Sequence, residues 1–263
     1  MSYQFLTVER RGAVEYVTLN RPDVRNAFNE HVIADLTAWA RSAHQDPPRV
    51  VVLAGAGKVF SAGADAAWMA KMADYSRDDN VRDARAAAEM FLAINTVPAI
   101  VIGRIHGAAL GGGSGLAAVC DIVVTDADAI FGFTETKLGI LPAMISPYVL
   151  QKIGASAARE LFLTGMRFTA DKAKEIGLVH AVVPAADLDE AVGNFVKEAL
   201  SAAPTAVARA KALIQDVLGH SPAEVIGITA DAIATQRVSP EGQEGLKAFL
   251  AKRQPSWTVR IDE

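Results

Sequence analysis

The sequence predicts an α/β domain with parallel strands, on three observations. The runs Val50-Val51-Val52-Leu53, Ala99-Ile100-Val101-Ile102 and Ile122-Val123-Val124 are short, β-rich and free of charge, as strands buried on both faces are. Residues 81–94, between the first two runs, carry apolar side chains at helical spacing. A glycine-rich turn precedes the third run, and this alternation of strand and helix is how a parallel sheet covered by helices reads along a chain.

The chain opens as β structure. Leu6 and Val8, then Val14, Tyr16 and Val17-Thr18-Leu19, form two strand signals that turn at Arg11-Gly12, which predicts a hairpin. Over residues 30–43, Val32, Ile33, Leu36, Trp39 and Ala40 recur with a helical period, and Pro47-Pro48 bars continuation. From Asp187 the strand signals cease. Helical patterns then run over 188–200, 206–218, 222–236 and 241–252, punctuated by Pro204, Gly219 and Pro240. The expected organisation is a core over residues 1–200 and a helical region over 201–263, with no internal repeat.

With 263 residues, 51% of them hydrophobic, the chain can bury a large core. A net charge of -4 and 26 dispersed Lys and Arg residues give no basic footprint, so nucleic acid is not an expected partner. Residues 1–11 lack a signal-peptide apolar core, and no stretch has the apolar length of a membrane helix, so the expected location is cytoplasmic. Cys120 is the only cysteine, which excludes an internal disulfide and a thiolate metal cluster. It reads as a small buried apolar residue.

Three segments carry chemistry. Phe60-Ser61-Ala62-Gly63-Ala64-Asp65 follows the Val50 strand with side chains small enough for a ligand to reach the backbone. Ile105-His106-Gly107-Ala108-Ala109-Leu110-Gly111-Gly112-Gly113-Ser114-Gly115-Leu116 follows the next strand and leads into a short apolar helix. Ligands of open α/β sheets bind just beyond strand ends, and amides that open a helix favour an anion. One amide from each loop could clamp one developing oxyanion. In the third segment, residues 131–142, Glu135 stands among aromatic and apolar neighbours. If buried there, its carboxyl rises in pKa and suits acid–base work near neutrality; the alternative is an exposed turn glutamate.

Together with Cys120-Asp121-Ile122, Asn20-Arg21-Pro22 and Asn26-Ala27-Phe28, these segments make the chain resemble the enoyl-CoA hydratase/isomerase, or crotonase, family over nearly its whole length. The resemblance implies a crotonase-like spiral of ββα turns, with a helical C-terminal region that builds trimers, commonly paired into hexamers. It implies an acyl-CoA substrate whose thioester oxygen sits between the amides of Ala64 and Gly112, with Glu135 handling protons. No cofactor beyond the coenzyme A of the substrate, and no metal, is implied. By motif match Ala62, Ala64 and Asp65 flank the coenzyme A, Arg25 meets its phosphates, and Phe249 and Lys252 contribute from the C-terminal helices. Trp68, Met69, Leu141 and Met144 are candidates for the acyl pocket.

The chain departs from the family pattern at two places. Hydratases of the family usually carry a first glutamate shortly after the glycine triplet, where this sequence has Gly115. The expectation is that Gly115 makes room for a branched or carboxylate-bearing acyl group while Glu135 works alone. After Pro142 a glycine-rich turn is replaced by Ala143-Met144-Ile145-Ser146-Pro147-Tyr148. Both departures resemble the methylglutaconyl-CoA hydratase branch of leucine breakdown. The activity implied is reversible syn addition of water to a 2-enoyl-CoA. The competing readings are an isomerase that moves a double bond with one glutamate and a non-catalytic acyl-CoA binder. A dinucleotide-binding reading of Gly113-Ser114-Gly115 fits poorly, because only a short helix separates it from Asp121. His106 before a glycine turn is expected to contact backbone, and Asp65 either serves the site or caps a helix starting near Ala66.

Overall fold

The computed structural model describes residues 3–258. The predicted hairpin forms from β1 (Leu6–Arg11) and β2 (Val14–Leu19), paired antiparallel from Leu6 opposite Leu19 to Arg11 opposite Val14. Helix α1 (Glu30–Gln45) follows, its first turn capped by the Asn29 side chain accepting from Val32 N. The chain then runs through β3 (Val50–Gly55), α2 (Ala66–Met72), α3 (Arg77–Asn95), β4 (Ile100–Ile105), β5 (Ala108–Leu110), α4 (Gly112–Val119), β6 (Ile122–Asp126) and β7 (Ile130–Gly132). It continues with α5 (Ser146–Thr164), β8 (Arg167–Thr169), α6 (Ala170–Glu175) and β9 (Ala181–Val183). Four helices close it: α7 (Leu188–Ser201), α8 (Pro204–Val217), α9 (Ile226–Val238) and α10 (Pro240–Leu250).

Two turns of the chain, β4–β5 and β6–β7, each lay one strand in a large sheet and a shorter one in a small sheet before returning through a helix. The large sheet has the order β1-β2-β3-β4-β6-β9, parallel from β2 onward. The small sheet has the order β5-β7-β8. The predicted burial of the central strands on both faces holds, and period-2 alternation explains it. Val51 and Leu53 face the main core with Trp39, Met90 and Phe91, whereas Val50, Val52, Ile102 and Val124 face Leu188, Val192 and Val196 of α7.

Two cations tie the late helices to the sheet. Lys211 of α8 pairs with Asp121 at 2.7 Å and donates to Ala99 O. Arg49, just before β3, donates to the carbonyls of Leu200, Ala202 and Trp257. The first two belong to the end of α7, where a helix leaves its last carbonyls unpaired. Cys120 is buried, donates to Leu116 O, and burial pushes its thiol up to about 12, so its reading as an inert apolar residue holds. Helix α9 starts at Ile226, four residues later than the periodicity predicts, because residues 222–225 form a turn.

Candidate active site

Two loops meet at the centre of the site. In the first, an isolated parallel bridge joins Phe28 to Ala64: Phe28 N donates to Gly63 O and Asp65 N donates to Phe28 O, each at 2.7 Å. The N–H of Ala64 lies between those two bonds and turns to the other side of the strand, where no backbone acceptor among the described residues takes it up. The second loop follows β5 and enters α4 at Gly112. Its N–H belongs to the set that a helix start leaves unpaired, at the positive end of the helix dipole. Ser114 fixes this loop from below by donating to Ala109 O at 2.6 Å while accepting from Gly132 N.

Close approach explains the glycines here. Gly63 has φ +90°, and a Cβ there would stand 2.8 Å from Leu110 O and 3.7 Å from the Gly111 Cα. Gly111, at φ 50° and ψ -120°, would place a Cβ 3.3 Å from Oε1 of Glu135. The two loops and the catalytic candidate therefore converge at one point. Glu135 opens a 3-10 turn (Glu135–Leu138) after β7, and its Oε2 is buried without a hydrogen-bond partner. Burial pushes its carboxyl above the ordinary range, with hydrogen bonding to its own backbone opposing. The exposed-turn alternative is excluded by that burial.

A cavity of about 250 Å³ opens from this point. Ala62, Ala64, Gly112, Glu135, Trp68, Met69, Leu141 and Met144 all line it, so the structure brings these expected residues together. Sequence reasoning missed Phe28, Ile33, Asp83, Phe91 and Ile145 in the same walls. For Asp83, Ala87 and Phe91 the available signal was their i, i+4, i+8 spacing on one predicted helix face. Arg25 is exposed in a left-handed conformation and its carbonyl accepts from Ala62 N, which sets it beside the cavity but outside its lining. Phe249, 81% exposed, and Lys252 lie at the end of α10, also outside the lining.

Two expectations need correction. The carboxylate of Asp65 does not face the cavity: Oδ1 caps α2 by accepting from Ala67 N, and Oδ2 pairs with Arg21 at 2.9 Å. Gly115 does not make room for substrate. It is buried, and a Cβ there would lie 3.1 Å from both Ile145 Cβ and Phe91 Cε1 and closer still to Ile145 Cγ2. Ile145, itself buried and part of the cavity wall, fills that space. His106, as expected, meets backbone, with Nε2 2.9 Å from Gly57 O.

The family model described as enoyl-CoA hydratase/isomerase matches residues 9–260. The chain belongs to the enoyl-CoA hydratase/isomerase family. A relative from Thermus thermophilus is 34% identical over 246 residues, covering 93% of this chain and 97% of its own. The crystal structure of an enoyl-CoA hydratase from Shewanella pealeana is 37% identical, with a TM-score of 0.93 over 97% of this chain and 96% of that one. The structure of Pseudomonas aeruginosa AtuE is 35% identical, also at 0.93, over 97% and 100%. The crotonase-like fold expected from the motifs is thus established.

Within this family fold, the two departures of the sequence prove to be one packing event: the side chain absent at position 115 is replaced in space by Ile145. Gly115→Ala is therefore expected to destabilise the protein. Overpacking costs about 1–3 kcal/mol, which exceeds the gain of up to about 1 kcal/mol from removing a helical glycine. Urea denaturation of Gly115→Ala in wild-type and Ile145→Ala backgrounds checks this; the destabilisation disappears in the second if Ile145 is its cause.

Proposed function

We propose that this chain catalyses the reversible syn addition of water to a 2-enoyl-CoA. The observation that carries the reading is the buried, unpartnered Oε2 of Glu135 at the junction of two loops with outward amides, inside an apolar cavity. As water attacks the β-carbon, negative charge develops on the thioester oxygen, and the N–H groups of Ala64 and Gly112 stabilise it. Glu135 directs the water, takes its proton and delivers a proton to the α-carbon. The apolar walls strengthen these interactions by excluding water. Arg25 is assigned to the coenzyme A phosphates, with Phe249 and Lys252 as further contacts. The apolar side chains that α9 and α10 leave exposed, Ile226, Val238 and Leu250 among them, are assigned to self-association as a trimer or hexamer.

Loss of the absorbance of a conjugated enoyl thioester, with crotonyl-CoA, tests the reading. Unchanged absorbance overturns it. A second reading, an isomerase, is favoured by the one carboxylate that the described residues place at the loop junction, because moving a double bond needs one base. It predicts a rise in the same absorbance when a 3-enoyl-CoA is supplied. A 3-methylglutaconyl substrate is the finer possibility raised by the sequence around Pro142. It meets a cavity wall with two carboxylates and no Lys, Arg or His among the described residues.

The pH profile has a definite sign. Water activation needs ionised Glu135, whose pKa in the fold lies above 4.5. The acid limb of kcat is expected above the ordinary carboxylate range and to vanish in Glu135→Gln. For stability the sign reverses: between 4.5 and its raised value the folded state holds the proton more tightly than the unfolded chain, so stability falls as pH rises through that window. Glu135→Gln is expected to remove this loss and to melt no lower than wild type at neutral pH.

A further inference from the structure

Two motifs of the sequence, Asn20-Arg21-Pro22 and Asn26-Ala27-Phe28, take no part in the chemistry described above, yet they fold against the loop that carries it. The side chain of Asn26 is buried: Nδ2 donates to Ala56 O and Val59 O, and Oδ1 accepts from Arg21 N. The hydroxyl of Ser61 donates to Asn26 O. These bonds pin the segment to the start of the loop. Further along, the isolated bridge between Phe28 and Ala64 consists of just two backbone bonds, Phe28 N to Gly63 O and Asp65 N to Phe28 O.

Arg21 spans that bridge. Its Nη1 donates to Ala27 O at 2.7 Å, on the residue before Phe28, and its Nη2 pairs with Asp65 Oδ2 at 2.9 Å, on the residue after Ala64. One guanidinium therefore holds both strands of the bridge, as its rigid fork allows. Its face lies over the ring of Phe5, 4.7 Å from the centroid. The side chains of Arg21 and Asp65 are 15% and 11% exposed, so water screens this pair far less than a surface one. Burial pushes the Asp65 carboxyl up, but the bonds from Ala67 N and Arg21 outweigh it and leave the group below the ordinary range, ionised opposite its partner. The same segment also meets the second donor: a Cβ on Gly112 would stand 2.8 Å from Phe28 Cε2. Both amides of the site thus rest against a strand that Arg21 fixes.

We propose that Arg21 is a positioning residue for the oxyanion site, acting through Asp65 and Ala27 to hold the Ala64 N–H in line with that of Gly112. Arg21 lies outside the cavity lining and its charge is matched by Asp65, so what it contributes is aim rather than charge. An amide held by a two-bond bridge, next to a glycine at φ +90°, has freedom to turn, and a misplacement of about 1 Å at a reacting centre costs about 10² in rate. The inference rests on the two-amide reading of the enoyl-CoA site.

The test uses Arg21→Met and the double variant Arg21→Met/Asp65→Asn. The single variant leaves a buried carboxylate unpaired and is expected to melt lower than wild type. The double variant removes both charges and keeps an asparagine to cap α2, so its melting temperature is expected to recover. Both are expected to lose about 10–10² in kcat with crotonyl-CoA, while affinity for butanoyl-CoA changes little. Isotope-edited infrared spectra of bound butanoyl-CoA read the alignment, because a hydrogen-bonded thioester carbonyl absorbs at lower frequency. That downshift is expected to be smaller in both variants than in wild type. The band arises from the folded, liganded fraction, so lost stability in the single variant leaves it readable. Recovery of kcat and of the full downshift together with melting temperature in the double variant would assign the pair to stability alone and overturn the proposal, as would a downshift unmoved in both. No downshift in wild type overturns the two-amide reading instead. Failure of crotonyl-CoA hydration overturns the reading of the reaction while the band still decides the role of Arg21.

Discussion

Glu135→Gln is expected to lower kcat for enoyl-CoA hydration by about 10²–10⁴, the contribution of a positioned general acid–base. The substitution preserves shape, so KM is expected to change little. What it removes is the ability to take a proton from water and return one to carbon. With Gly115 at the position of the family's other glutamate, and Ile145 filling the space, no second carboxylate among the described residues stands at the loop junction to share the task. The effect should therefore lie toward the upper end of that range. The assay is the decay of thioester absorbance under substrate saturation. Retained turnover would remove Glu135 from the chemistry.

Gly63→Ala is expected to cost about 10²–10³ in kcat/KM, comparable to losing one oxyanion donor. At φ +90° an alanine is strained, and its Cβ would meet Leu110 O at 2.8 Å, which is backbone and has little freedom to yield. The relief available is to part the two loops, and that moves the N–H of Ala64 away from that of Gly112. Gly12→Ala separates strain from misalignment: Gly12 has φ +56° with nothing within 4 Å of its missing Cβ, so only the conformational cost applies. That cost is about 1–2 kcal/mol. A fall in melting temperature for both variants, at least as large for Gly63→Ala, with loss of activity for Gly63→Ala alone, is the expected pattern. Full activity in Gly63→Ala would sink the two-amide assignment.

The central strands of the large sheet, β3, β4 and β6, were legible because each contains a run of at least three apolar residues, and β1 and β2 because they flank a hairpin turn. The small sheet, β5, β7 and β8, was not, and neither was the edge strand β9 of the large one: each has three residues, too few for alternation to register. Helix α5 was hidden by Pro147 near its start and by Gly154, whose φ of 69° bends it mid-course. At the site, Ala64, Gly112 and Glu135 were found through motifs, and the amphipathic reading of α3 contained Asp83 without a reason to single it out. Gly115 was misread for a physical cause. An absent side chain looks like a vacancy in sequence, and only packing reveals that Ile145, thirty residues later, had taken it.

That packing constrains how the chain can change. A glutamate cannot enter at position 115 while the branched side chain of Ile145 stands in its place, and trimming Ile145 alone leaves a hole in the wall of the cavity. A sequence path to a two-glutamate site must pass through the hole first, because the other order begins with a collision. The two positions are thus epistatic with a preferred direction of travel, and a library that varies either one singly will score every glutamate as a failure.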